Sequence, residues 1–181
     1  MMWKTDRKEL IALIFILLLA SFFRLYKLDS IPPGIYPDEA LNGNQAIFEP
    51  GKIFYPENNG REGLFMNLIA LSFKIFGPSI WSFKIVSAIA GILTVFGLYL
   101  LTKELFDWNE ERPRSIIPLI STFLISVSFW HTNFSRISFR AIMVPLFSTF
   151  AFYFLFKAFK KEKTIYFGIR EQLLCNWLIS A

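Results

Sequence analysis

The chain has 181 residues, 54% hydrophobic and only 18% charged, with a net charge of +5. Its 22 phenylalanines and several uncharged runs of bilayer-spanning length exclude an ordinary soluble domain, and basic residues placed just outside those runs exclude a nucleic-acid footprint. A single cysteine, Cys175, excludes an internal disulfide, and a single histidine, His131, excludes a multi-histidine metal site. What remains is an all-α integral membrane protein.

Lys4, Arg7 and Lys8 precede the first apolar run. That run ends in Arg24-Leu25-Tyr26-Lys27 and not in a small-residue cleavage site, so residues 10–28 read as a retained span that starts in the cytoplasm. Arg24 and Lys27 are expected to snorkel to the interface. Residues 29–80 form a long external loop, acidic at first and rich in Pro, Gly and Asn. Two short helices are expected in it. One covers 37–48, opened by Pro37 and stopped by Pro50-Gly51. The other covers 64–76, stopped by Gly77-Pro78 and of a length that suits lying in the interface.

The second span is 81–101, with Gly91 and Gly97 available for close helix contact. A charged loop with Arg112 and Arg114 follows, then a third span at 116–130, a short loop at 131–140 and a fourth span at 141–157. Lys157, Lys160, Lys161 and Lys163 close it. Four spans put the N-terminus and every lysine-rich flank in the cytoplasm. A crossing by 64–76 would place the lysine cluster outside, which the positive-inside rule disfavours. The expected location is the plasma membrane, multi-pass. In the tail, 164–181, the apolar stretch 173–181 is too short to span.

In this topology the outer face collects Asp38, Glu39, Arg61, Glu62, His131, Arg136 and Arg140. A carboxylate can take the proton from an acceptor hydroxyl, and guanidiniums can hold a phosphate by paired hydrogen bonds. Displacement at the anomeric carbon of a lipid-linked phosphosugar would use both. Each piece has a plainer reading. Asp38-Glu39 after Pro37 suits helix N-terminal chemistry alone. Arg61-Glu62 makes a local ion pair, Arg136 and Arg140 anchor to lipid headgroups, and His131 with Trp81, Trp130 and Tyr36 belongs to an aromatic belt. A small transporter is disfavoured, because the cores of the four spans carry no charge. No metal is required, although Asp38, Glu39 and Glu62 could join in holding a divalent cation through oxygen.

Several segments, in order, resemble the N-terminal part of GT-C type membrane glycosyltransferases, in the superfamily of protein O-mannosyltransferases and lipid A aminoarabinose transferases. They are Arg24-Leu25-Tyr26, Pro37-Asp38-Glu39-Ala40, Asn58-Asn59-Gly60-Arg61-Glu62-Gly63-Leu64-Phe65, Ala70-Leu71-Ser72-Phe73-Lys74-Ile75-Phe76-Gly77-Pro78-Ser79, and Trp130-His131-Thr132-Asn133-Phe134-Ser135-Arg136 running on to Arg140-Ala141. The resemblance spans roughly residues 10–160. It implies a polyprenyl-phosphate sugar donor, a protein, lipid or glycan acceptor outside the cytoplasm, and inversion at the anomeric carbon. It further implies Asp38 as catalytic base with Glu39 as its structural or acceptor-orienting partner, and Arg61, Glu62, Arg136 and Arg140 as substrate or phosphate contacts. Family members run to several hundred residues, and the tail from Gly168 departs from their glycine-rich fifth helix. A truncated or frameshifted end is therefore expected, with a non-catalytic remnant or accessory membrane subunit as the alternative function.

Overall fold

The structure is a computed structural model that describes residues 7–57, 59–106 and 116–160; the tail 164–181 and the arginines at 112 and 114 lie outside the described residues. The elements in order are α1 (Arg7–Leu25), α2 (Pro37–Phe48), two short strands β1 (Phe54–Tyr55) and β2 (Arg61–Glu62), α3 (Leu64–Phe76), α4 (Ile80–Phe106), α5 (Ile117–Val127), α6 (Phe129–Arg136), a 3-10 turn (Arg140–Ile142) and α7 (143–160). β1 and β2 pair antiparallel, Phe54 opposite Glu62 and Tyr55 opposite Arg61.

Two segments are long and apolar enough to cross a membrane, Ile80–Phe106 and Arg140–Lys160. At a rise of about 1.5 Å per residue, α4 runs roughly 40 Å, more than the hydrocarbon core of a bilayer. α1 has 19 residues but carries Arg7, Lys8 and Glu9 at its start and Arg24 near its end, and the described α5 has 11.

α4 is the central element, packing against α1, α3, α5 and α6. Its buried face is built largely from small and hydroxyl residues, among them Ser82, Ser87, Ala88, Ala90, Gly91 and Thr94. Such residues let helix backbones approach closely. A methyl group added at Gly91 would lie 2.1 Å from Ser135 Oγ on α6, and one at Gly97 would lie 3.0 Å from Phe150 and Thr149 on α7.

Polar contacts fix which ends meet. Glu9 of α1 accepts hydrogen bonds from Tyr99 Oη and Lys103 Nζ of α4, both at 2.6 Å, and Lys160 of α7 pairs with buried Glu104 at 3.4 Å. The start of α1 and the ends of α4 and α7 therefore share one end of the bundle. The segment 29–63, α6 and the 3-10 turn gather at the other, where Leu28 packs on Ile85 and Ala88. A larger core of Ala46, Tyr55, Phe65, Met66, Ile69, Phe83, Ala90, Ile142 and Met143 binds α2, the hairpin and α3 to α4 and to the start of α7.

Within the bundle the structure departs from the sequence reading at the α5–α6 break and at Arg24. The expected continuous span 116–130 leaves helical geometry at Ser128 (φ −59°, ψ 122°), and most of the stretch read as a loop, 131–140, is helix. The carbonyls that an unbroken helix would use accept hydrogen bonds from Arg24 instead: Nη1 reaches Ser126 O at 3.0 Å and Nη2 reaches Ile125 O at 3.3 Å. Arg24 itself does not reach outward to an interface. It is 0% exposed, buried among α1, α5 and α6.

The Gly91–Ser135 contact yields a stability test. Gly91→Ala should destabilise the protein by about 1–3 kcal/mol, the usual cost of overpacking. Gly91→Ala combined with Ser135→Gly should recover most of the loss. Thermal unfolding midpoints in detergent read both, and a single variant as stable as the parent would refute the close approach.

Candidate active site

α2 opens on Tyr36 in an extended conformation with Pro37 in its first turn, as a residue with fixed φ and no N–H allows. Asp38 and Glu39 follow in the same turn, where exposed amides favour negative charge. A rotation of 100° per residue sends them different ways: Asp38 is exposed, and Glu39 is only 2% exposed. One Glu39 oxygen accepts from the Tyr36 N–H at 2.8 Å and so closes the helix start. The other accepts from the Ser138 N–H, on the link between α6 and the 3-10 turn. Ser138 Oγ in turn donates to Phe83 O on α4 at 3.2 Å. Glu39 is thus a pin between α2 and the end of α6, and it fixes the backbone that carries Asp38.

The residues before α2 are held from below. Lys84, fully buried on α4, donates to Pro32 O at 3.1 Å. Arg136 spends its donors on backbone carbonyls: Nη1 on Phe23 O at 2.5 Å, Nη2 on Tyr26 O at 2.6 Å, Ile31 O at 2.8 Å and Lys27 O at 3.2 Å, and Nε on Ile31 O at 3.2 Å. A guanidinium at this position supplies the donors that the last carbonyls of α1 lack.

Arg61 is buried as well. Its Nη1 donates to Asn42 Oδ1 and its Nη2 to Gln45 Oε1, each at 2.6 Å. Gln45 passes a hydrogen bond on to Glu57 at 3.0 Å, and Asn42 donates to Ser138 O at 3.3 Å. Asp38, Asn42 and Gln45 stand at i, i+4 and i+7, one face of α2, so Arg61 is bound one to two turns along the face on which Asp38 begins. Glu62, its neighbour, turns the other way and pairs with Arg140 at 2.6 Å, at a partly exposed position.

The six expected site residues therefore divide. Glu39, Arg61 and Arg136 are buried in hydrogen bonds that hold the scaffold, while Asp38, Glu62 and Arg140 remain at the surface. Arg61 and Glu62 do not pair with each other, since each has a partner elsewhere. Arg136 reaches backbone carbonyls and not lipid headgroups. Among the described residues no group of three or more His, Cys, Asp or Glu is placed to hold a metal ion, and Asp38, Glu39 and Glu62 do not form one.

Sequence reading missed Lys84, Ser138, Asn42 and Gln45. The signal for Lys84 was a cation inside the apolar stretch that follows Trp81. For Asn42 and Gln45 it was their register with Asp38. His131 was read as interfacial, and it is half-buried with Nδ1 2.8 Å from Arg24 Nη2. A guanidinium only donates, so Nδ1 is the acceptor and the imidazole is neutral, with its proton on Nε2. Burial first, and the Arg24 charge second, lower the His131 pKa to about 4.

Unfolded His131 takes up a proton near pH 6.5, and the folded residue does so only near pH 4. Its contribution is complete above the unfolded value and declines as pH falls from 6.5 to 4, because the unfolded state then binds more protons. A thermal melt against pH should show this decline, and His131→Gln should flatten it within that window.

The family model for dolichyl-phosphate-mannose-protein mannosyltransferase matches residues 64–174, from the first residue of α3 onward and beyond α7. The match begins after Pro37-Asp38-Glu39-Ala40 and covers Arg136 and Arg140. No curated protein and no solved structure matches the chain. With more than half of its residues matched, the chain belongs to the dolichyl-phosphate-mannose-protein mannosyltransferase family.

Proposed function

We propose that this chain carries the acceptor-activating part of a GT-C type membrane glycosyltransferase, one that moves a sugar from a polyprenyl-phosphate donor to a hydroxyl on the non-cytoplasmic side. The observation that carries the reading is the division of labour in the first turn of α2. Glu39 is locked by two backbone N–H groups, and the adjacent Asp38 is presented outward on the backbone thus fixed.

Asp38 is the general base. The acceptor oxygen forms a bond to the anomeric carbon on the face opposite the phosphate. The bond from that carbon to the phosphate oxygen breaks, the electron pair leaves on the lipid phosphate, and the acceptor proton passes to Asp38. The configuration at the anomeric carbon inverts. Arg140, partly exposed and held by a carboxylate at 2.6 Å, is the cation available to exchange Glu62 for the phosphate of the donor. Arg61 and Arg136 shape the surroundings without leaving their partners.

The topology that suits this chemistry has four crossings with the N-terminus inside. α1, α5 and helices α4 and α7 would make the crossings, and α2, the hairpin and α3 would lie on the outer side. Supporting it, the start of α1 and the ends of α4 and α7 meet at one end of the bundle with Arg7, Lys8, Lys103, Lys157 and Lys160, the charge pattern of a cytoplasmic face. Asp38 sits at the opposite end.

Asp38→Asn should reduce sugar transfer from polyprenyl-phosphate donors by about 10²–10⁴-fold and leave the melting midpoint unchanged. Glu39→Ala should lower the midpoint and the transfer together. Transfer by Asp38→Asn at the parental rate would remove Asp38 as base. Absence of transfer from a folded parent chain would favour an accessory subunit.

A further inference from the structure

Among the described residues, the charged side chains buried toward the Asp38 end of the bundle are the cations Arg24, Arg61, Lys84 and Arg136 and the carboxylate Glu39. The three arginines are spent on carbonyls, side-chain amides and an imidazole. Lys84 is used differently. An ammonium carries three N–H donors, and Pro32 O takes one of them. A buried ammonium with so little direct bonding is costly unless an opposite charge stands near it.

Glu39 reaches the same place from α2. Ser138, whose N–H binds one Glu39 oxygen, donates through Oγ to the carbonyl of Phe83, the residue before Lys84. Gly43 stands one turn after Glu39 on the same side of α2, and a methyl group added there would lie 3.3 Å from the Phe83 ring. α2 is thus laid on the start of α4 beside Lys84. The connection is tied at both ends as well: Lys84 holds Pro32 O, and four residues later Glu39 holds the Tyr36 N–H.

Of the carboxylates around Lys84, Glu39 acts on it most strongly, ahead of Asp29, and the Arg136 charge opposes both. Among the described residues no direct ion pair joins Lys84 to Glu39. The attraction therefore acts across a gap, where buried charges are little screened by water and salt. Arg136 is the next cation, but it is committed to the carbonyls of Phe23, Tyr26, Lys27 and Ile31.

We propose that Lys84 is a positioning residue of the candidate site: its ammonium is the counter-charge of the buried Glu39 carboxylate, and through Glu39 it holds the first turn of α2 so that Asp38 faces outward. Without the ammonium, Glu39 is an uncompensated buried anion. Such a group neutralises itself by taking up a proton, and its hold on the Tyr36 and Ser138 N–H groups weakens. The turn that carries Asp38 then loosens. This catalytic consequence rests on the reading of Asp38 as the base, whereas the charge pairing does not.

The test compares the full chain in detergent as parent, Lys84→Met, Glu39→Gln and the double variant. Infrared spectra of Lys84→Met at neutral pH should gain the carbonyl stretch of a neutral carboxylic acid, and the double variant should lack it. The double variant should also melt above Lys84→Met alone. If Lys84 served only to tie down Pro32 O, no such band would appear and the two losses in melting midpoint would add; either result overturns the proposal. Should Lys84→Met fail to fold, folding of the double variant supports the pairing, and failure of both overturns it. In transfer assays Lys84→Met should lower kcat by about 10²-fold with KM for the donor little changed. Spectra and melts need no transfer, so a failed catalytic reading and a failed charge pairing are separately visible.

Discussion

Two buried arginines, each set into the carbonyl end of a neighbouring helix, hold this structure together. Arg24 of α1 donates to Ser126 O and Ile125 O at the end of α5, and Arg136 of α6 donates to Phe23 O, Tyr26 O and Lys27 O at the end of α1. Helix ends leave their last carbonyls without donors, and these carry partial negative charge. A guanidinium offers five N–H groups in a rigid plane, enough to satisfy several such carbonyls at once. In this way two helix ends close without a carboxylate, and the break between α5 and α6 becomes a designed feature: the carbonyls it frees are the ones that Arg24 binds.

The surface that carries Asp38 depends on that arrangement. Arg136 also grips Ile31 O, and Lys84 grips Pro32 O from α4, so the connection from α1 to α2 is fixed at both sides of the Ile31–Pro32 bond. Glu39 then joins α2 to Ser138, two residues beyond Arg136. Arg136, Lys84 and Glu39 thus form one scaffold at this end of the bundle, in which each charged group is hydrogen-bonded to backbone. The charged residues expected at the site that stay at or near the surface are Asp38 on α2 and the Glu62–Arg140 pair.

The same economy explains why a polar cluster can sit beside membrane helices. Buried charge is tolerated when every donor and acceptor has a partner, and it becomes costly when one is removed. Arg61 with Asn42, Gln45 and Glu57 forms a network in which both terminal guanidinium nitrogens are bonded, linking β2 to α2 through side chains alone. Its rigidity fixes the α2 face on which Asp38 stands. At the other end of the bundle Glu9, Tyr99 and Lys103 form a second one, which sets the register of α1 against α4.

The sequence by itself determined the elements whose signals are local. α2 and α3 lie over the same residues, 37–48 and 64–76, that Pro37, Pro50-Gly51 and Gly77-Pro78 delimit. The apolar stretch after Trp81 belongs to a helix of spanning length, and the glycines in it meet α6 and α7. Likewise, the motif around Asp38 stood out by its position just after a turn. Tertiary structure alone decided how the charges were used. Whether Arg136 faces a headgroup or a helix end, whether Arg61 pairs with Glu62 or with α2, and whether Arg24 snorkels or is buried all depend on partners about 20 to more than 100 residues away in the chain. A local pattern cannot encode such partners, because a guanidinium satisfies carbonyls, amides and phosphates through the same hydrogen-bond geometry. The break at Ser128 was hidden for the same reason: it rests on donors that arrive from α1.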